Sequence, residues 1–434
     1  MNPLMRRFPE IYRCMLTECS HGRLALGAGT SLALGAAFWS AAGWDRDPGK
    51  MLFFYAFWTQ VATFIVYGSI RASASIADER EAKTWDLQRL TPLTSGDIAA
   101  GKLLGAPVYA AFLAALLLPW AFAGALRSQG IGAGPVFIYL QFAATAFLAL
   151  SLALLSSAYS DLSRSGSSTT AGALIGLGSL YTLAPALSKA PAEAVLVYFG
   201  LSIPYVLWMP LATAGFGAWA FAAAKWRIGR DLLEPTRFWR FPAFILYLIF
   251  FLLGFEKASS YFALLLPAAA TVMVALAEPT TPEAWRRWLA SLDWGDRINR
   301  TPSWISGTIV CLAAAFCISL VPPIPAATQG LEPLRRLPLV LALFLIRDTA
   351  FIQCCRFTKS RRPEILAVVF LSLAYLVPLI LLSAANMKVL LYAFMPLVGR
   401  EVSAWVNVIP GLIGALGALA ALAFVSGRST STLR

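Results

Sequence analysis

The chain has 434 residues, of which 59% are hydrophobic and only 13% charged, with a mean hydropathy of +0.69 and a formal net charge of +13. Soluble globular domains carry roughly a quarter charged residues, so this composition excludes an ordinary soluble enzyme or binding module. Apolar runs of roughly 18 residues or more recur along the whole length and predict an all-α, polytopic transmembrane bundle. The alternating ~10-residue segments of a membrane barrel do not occur.

In chain order, residues 1–23 predict an amphipathic interfacial helix. Leu4, Phe8, Ile11, Met15 and Cys19 recur at helical spacing, with Arg6, Arg7 and Arg13 mostly on other faces. The plainer alternative is an irregular polar leader. About twelve spans follow, at 24–42, 51–70, 103–126, 135–158, 168–187, 194–224, 241–255, 259–277, 304–322, 337–354, 364–384 and 403–426. The first is read as an uncleaved span, because the lead holding Arg6, Arg7, Arg13 and Arg23 is long for a signal peptide. The run 194–224 exceeds one straight crossing, with Pro204 and Pro210 positioned to break it, and 241–255 is short.

With the N-terminus inside, 25 of the 35 Lys and Arg fall in cytoplasmic segments, nine in outer loops, and Arg347 lies within a span. This bias predicts cytoplasmic N- and C-termini in an inner-membrane, multi-pass protein. The net charge is then a topology signal, and no nucleic-acid partner is expected.

After the sixth span, Lys225, Arg227, Arg230, Arg237 and Arg240 alternate with Trp226, Ile228, Leu232, Leu233, Phe238 and Trp239, predicting a second surface segment. A cytoplasmic loop at 278–303 follows two further apolar runs. Within it, Pro282 suits a first helical turn after Thr281, and Trp285, Trp288, Leu289 and Leu292 share a helical face. The order of elements predicts two six-span halves, 24–224 and a diverged 225–434.

The most polar segment, residues 76–102, lies between the second and third spans. Glu79 and Lys83 have favourable i,i+4 spacing. Leu87 and Leu90 share a face, and Pro92 discourages helix at Thr91. Thr94 with Asp97 fits a capping box, with Ser95 as a competing cap. The prediction is a short surface helix, a Thr-Pro turn, and a second helix running through Gly101 and Lys102 into the third span. The plainer reading is a solvated charged loop helix.

Ile76-Ala77-Asp78-Glu79-Arg80-Glu81, Thr84, Leu87, Leu90-Thr91-Pro92-Leu93-Thr94, Ile98 and Gly101-Lys102-Leu103-Leu104 together resemble the ABC type-2 transporter permease family. Its members carry an E-R-E-x-x-T stretch, a turn ending in T-P-L-S or T-P-L-T, and a G-K-L opening the third span. The resemblance covers residues 76–104 in wording and 1–224 in architecture. It implies the membrane-spanning subunit of an exporter, with residues 1–23 matching the family's interfacial elbow helix. It further implies that Asp78, Glu79, Arg80, Glu81, Thr84, Leu87, Leu90, Thr91 and Pro92 seat on a separate ABC ATPase subunit. Gly101 and Lys102 would start the driven span. ATP would bind the partner, with no cofactor in this chain, and a second permease or accessory subunit is a further implied partner. Two departures stand out. The family domain has six spans, and the loop 278–303 has Arg286 and Arg287 but no E-R-E-x-x-T. Either two permease halves are fused, or one domain carries six extra spans.

No G-x-x-x-x-G-K-[ST] loop is present, since Leu103 follows Gly101-Lys102, so ATP hydrolysis is expected only in a partner. His21 is the sole histidine and no H-E-x-x-H occurs, leaving little basis for an enzyme. Cys14, Cys19, Cys311, Cys317, Cys354 and Cys355 form no disulfide pattern. Cys14, Cys19 and His21 with Cys354 and Cys355 match no zinc spacing, so no metal is expected. Arg347 and Asp348 fall within an apolar run, where charges default to functional hypotheses. Neighbours on a helix point about 100° apart and need not pair. The alternative is that this span ends early and Arg347 snorkels to the headgroups. The small-residue run Ser163 to Gly178 predicts close helix packing. The loops Asp161 to Ser165 and Arg356 to Glu364 are candidate lesser docking contacts. Rival readings are an ion-coupled secondary transporter and a membrane scaffold or assembly factor.

Overall fold

The structure is a computed structural model that describes residues 9–88, 90–128, 134–160, 165–184, 194–234, 237–255, 262–278, 280–320, 336–358, 362–387, 390–391, 394–396 and 404–428. Helices dominate. In chain order they are α1 (Pro9–Glu18), α2 (His21–Ala42), α3 (Pro48–Gln60), a π-helical stretch (Val61–Tyr67), α4 (Gly68–Glu81), α5 (Trp85–Gln88), α6 (Ser95–Gly105), α7 (Val108–Arg127), α8 (Gly134–Tyr159) and α9 (Ser165–Ser179). Two short strands, β1 (Val195–Tyr198) and β2 (Leu201–Pro204), precede α10 (Tyr205–Asp231), α11 (Arg240–Leu253), α12 (Leu265–Ala277), α13 (Pro282–Ala290) and α14 (Trp294–Asn299). The last four are α15 (Ser303–Leu320), α16 (Leu337–Arg356), α17 (Pro363–Ala384) and α18 (Ala404–Arg428).

Among the described residues, nine helices are long and apolar enough to cross a bilayer: α2, the continuous Pro48–Glu81, α7, α8, α10, α15, α16, α17 and Val408–Ser426 of α18. This is a predominantly helical, multi-pass membrane protein. The remaining predicted spans, 168–187, 241–255 and 259–277, are met by the shorter helices α9, α11 and α12, of 15, 14 and 13 residues.

The run 194–224 is corrected at both ends. Its first third is a hairpin, turned at Phe199-Gly200, both with positive φ as a two-residue hairpin turn requires. Pro204 then occupies the N-cap of α10, and Pro210 is accommodated near the helix start. The helix continues to Asp231, so Lys225, Arg227 and Arg230 belong to its last turns rather than to a separate surface helix. Residues 1–8, including Leu4, Arg6, Arg7 and Phe8, lie outside the described residues, as do 161–164 and 359–361 of the two lesser docking loops.

Local chemistry explains where helices start and stop. Pro48 and Pro282 sit in first turns, where a missing N–H is harmless. Asp47 accepts from Lys50 N and Thr281 accepts from Ala284 N. At Thr94 the predicted capping box is complete: its side chain accepts from Asp97 N, and the Asp97 carboxylate accepts from Thr94 N. Helix α4 ends in a Schellman motif, with Thr84 N donating to Glu79 O, Lys83 N donating to Arg80 O, and Lys83 left-handed at φ 57°. Helix α10 stops the same way, through Glu234 N to Gly229 O and Leu233 at φ 60°.

The chain divides into two compact units, residues 1–196 with 202–236, and 197–201 with 237–434. The first is built on Pro48–Glu81, α7, α8, α9 and α10, with a core that includes Ala72, Ile76, Leu154, Ala224 and Ile228. In the second, α16 is the central helix, and 72% of its apolar window is buried, against 6% for α17.

Candidate functional site

In the first unit, the predicted segment 76–102 keeps its capped second helix, but two expectations are corrected. The surface helix stops at Glu81 with Lys83 left-handed, so Glu79 pairs with Lys102 and Arg13 rather than with Lys83. The second helix ends at Gly105, before the span helix starts at Val108. The segment's charged residues divide into two sets. One set turns inward. Lys102 is fully buried and its Nζ lies 2.7 Å from Glu79 Oε2, with Glu10 Oε1 and Ser75 O each at 3.4 Å. Glu79, 6% exposed, also accepts from Arg13 Nη2 and, at 2.8 Å, from Gln88 Nε2. One carboxylate therefore ties together α1, α4, α5 and α6. The buried Trp85 ring packs beneath, 5.8 Å from Lys102 Nζ and 5.7 Å from the Arg80 guanidinium, within cation–π range.

Arg80 closes a second contact. It donates to Asp231 Oδ2 and to Ser160 O, both at 2.6 Å, and to Ala158 O at 3.1 Å. Asp231 also takes Arg227 one turn away. The ends of α4, α8 and α10 are thus pinned at one guanidinium. Beside them, Glu234 accepts from Ser95 N at 2.9 Å and Ser95 Oγ at 2.7 Å, placing a carboxylate at the N-terminus of α6.

Helix α1 lies against α6 because Gly101 and Gly105 leave room for it. A Cβ on Gly101 would stand 3.0 Å from Glu10 Cβ, and one on Gly105 would stand 3.3 Å from Ile11 Cα. The environment of α1 is reflected in its titrating groups. Burial pushes the Glu10 carboxyl up, but Lys102 and Arg13 outweigh this and hold it below its ordinary 4.5. Burial, reinforced by Glu10, pushes the Cys14 thiol up to about 11, so it stays protonated and unreactive near neutral pH.

The other set faces outward. Asp78, Glu81, Thr84, Leu87, Leu90, Thr91 and Pro92 are all exposed, with Leu87 at 62% and Leu90 at 83%. These seven form an exposed ridge with acidic and apolar character, standing on the ion-paired base. Of the residues predicted to dock, Glu79, Arg80 and Lys102 are instead engaged inside the unit, and Gly101 makes space for α1. Sequence reasoning missed Glu10, Trp85, Asp231 and Glu234. The i,i+4 spacing of Arg227 and Asp231 and the i,i+3 spacing of Glu10 and Arg13 were available signals, and Trp85 lies within the singled-out segment; Glu234, paired 139 positions from Ser95, had none.

In the second unit, Arg347 and Asp348 do pair. Arg347 Nε and Nη2 both lie 2.8 Å from Asp348 Oδ1, and Tyr375 donates to Asp348 Oδ2 at 2.5 Å. The guanidinium carbon sits 4.4 Å from the Phe344 ring centroid and 5.1 Å from that of Tyr375. Helix α16 runs on without a break to Arg356, nine residues past Arg347. Gly414 of α18 leaves the space, since a Cβ there would stand 3.0 Å from Arg347 Cδ. Tyr375, another member missed, was visible as a lone phenol in an apolar run.

The loop 278–303 of this unit is held differently. Trp285 stacks on Trp304 at 6.0 Å and tilts against Trp288 at 5.1 Å and Phe357 at 6.2 Å. Glu278 accepts from Ser303 N at 2.8 Å, closing the loop's ends. Trp285 and Trp288 take the predicted inward face, while Leu289 is exposed within α13 and Leu292 is exposed beyond its end at Ala290. Among the described residues, no group of three or more His, Cys, Asp or Glu side chains could hold a metal ion. Compared with known proteins, the chain matches no family model, no curated protein and no solved structure.

Proposed function

We propose that this chain is the membrane-spanning subunit of an ABC type-2 transporter, working as an exporter with a separate ATP-binding subunit docked on residues 76–102. The observation that carries the reading is the exposed ridge Asp78, Glu81, Thr84, Leu87, Leu90, Thr91 and Pro92 on a base locked by the buried Glu79–Lys102 pair. A push on the ridge reaches α4, α6 and, through Arg80, the ends of α8 and α10 without being lost in a flexible loop. The wording of residues 76–104 supplies the family, and the Lys and Arg bias puts the ridge on the cytoplasmic side. In this reading the chain has twelve spans in two six-span halves, lies in the inner membrane with both termini cytoplasmic, and carries no ATP of its own.

Co-purification tests it. Replacing Glu81, Leu87 and Leu90 together by Ala is expected to abolish capture of an ATPase subunit while leaving thermal stability unchanged. Undiminished capture and ATP turnover would overturn the docking role.

The Arg347–Asp348–Tyr375 cluster favours a second reading, an ion-coupled secondary transporter, since paired charges within a span mark ion pathways. That reading requires transport by the chain alone, lost in Asp348→Asn.

A further inference from the structure

We infer that the second unit holds one acyl chain of a bilayer glycerolipid in a groove between α13, α15, α16 and α18. The groove encloses about 510 Å³, within the size range of ligand sites. Trp285 of α13 stands at the surface end, and Trp304 and Thr308 of α15, Ile346 and Thr349 of α16 and Ala423 of α18 form its walls.

Three observations point to a hydrocarbon chain. First, the wall makes almost no polar demand: Thr308 Oγ1 donates to Trp304 O and Thr349 Oγ1 donates to Leu345 O, both bonds within their own helices. Second, the depth fits one leaflet. Ile346 lies ten residues before Arg356 at the end of α16, which is about 15 Å along a helix and half of a roughly 30 Å hydrocarbon core. Third, the groove is continuous with the lipid-facing surface, where Ile309, Leu419 and Phe424 are exposed on the apolar spans α15 and α18. The surrounding solvent of that surface is lipid, so lipid is the occupant present at the highest concentration.

The head end is less selective. The Trp304 indole N–H is buried with no acceptor among the described residues, so the wall's unmet polar group is a donor, suited to ester oxygens rather than to a cation. Along α13 the exposed charges are Glu283 and Arg287, of opposite sign, so no single headgroup charge is favoured. Recognition is of the chain, and it requires no ATPase, so its failure and the failure of the transporter reading are separate results.

The test is native mass spectrometry after detergent delipidation and exposure to vesicles of dioleoyl phosphatidylcholine or dioleoyl phosphatidylglycerol. One retained lipid per chain is expected from either vesicle. Thr308→Trp or Ala423→Trp should fill the groove and lower occupancy about tenfold, while Leu416→Trp, on the same helix but outside the groove, should not. Should the filling variants fail to fold, dibrominated-chain phosphatidylcholine provides a second readout. It should quench wild-type tryptophan emission more than that of the Trp285→Phe/Trp304→Phe variant. No retained lipid on wild type, occupancy unchanged in a folded filling variant, retention of one headgroup only, or equal quenching would each overturn the proposal.

Discussion

Two loops of this protein join apolar helices and are fastened in different ways. Residues 82–94, between α4 and α6, are held by charge gathered around one buried ring: Glu79 with Lys102 and Arg13, Arg80 with Asp231, and Trp85 beneath them. Residues 278–303, between α12 and α15, are held by rings: Trp285, Trp288, Trp304 and Phe357. Ring packing supplies burial with loose directional demands. A buried ion pair adds little net stability but is unforgiving of geometry, because losing one partner strands the other. The first loop is therefore registered to its helices and the second is simply seated on them. A loop that transmits a push needs the former.

The largest test of this contrast is to break each fastening in its own currency. Lys102→Ala should destabilise the chain by about 3–5 kcal/mol, because Glu79 is left buried with its main counter-charge gone. Glu79→Gln/Lys102→Met should recover most of that loss in a thermal melt while still uncoupling any partner-stimulated activity. Trp285→Ala should also lose about 3–5 kcal/mol by opening a cavity, yet Trp285→Phe should recover much of it. Were Lys102→Ala neutral, the charged fastening would be wrong.

A smaller effect is expected at the glycine seat of α1. Gly101→Val should displace α1 and cost about 1–3 kcal/mol through overpacking against Glu10, read as a lower melting temperature and faster proteolysis of residues 9–18. Smaller again, Lys83→Gly should stabilise by about 1 kcal/mol, because the left-handed geometry at φ 57° is penalised for a residue with a Cβ. An unchanged melting temperature in Lys83→Gly would mean that the Schellman stop is not strained.

The smallest effect is pH-dependent. Glu10 is held below its ordinary 4.5, so its stabilising contribution is complete above 4.5 and fades as pH falls through the folded value. The gap in melting temperature between wild type and Glu10→Gln should therefore be present at neutral pH and close on acidification below 4.5. A gap that stays constant would remove Glu10 from the network.

Much of this architecture was legible in the chain. Apolar run length located the long helices, because a bilayer sets their minimum length and composition. The Thr94–Asp97 box, Pro282 after Thr281, and the inward pair Trp285 and Trp288 were readable because caps and helical faces depend on neighbours within a turn or two. The hairpin before α10 was not, because its strands are as apolar as the helix they precede. Nor was the pairing of Arg347 with Asp348, where ring walls from Phe344 and Tyr375 hold adjacent side chains together against the helical angle between them.

The sequence alone determined that residues 76–102 would be a polar, capped, turn-linked insertion between two spans. Only the tertiary structure decided which of its charges face out. Arg80 meets Asp231 from 151 positions away, and Lys102 meets Glu10 from 92. Such partners are chosen by how helices pack, and no local periodicity carries that information. The stretch Asp78-Glu79-Arg80-Glu81 reads as one charged run, but helical rotation sends its middle two residues inward to hold the unit and its outer two to the surface.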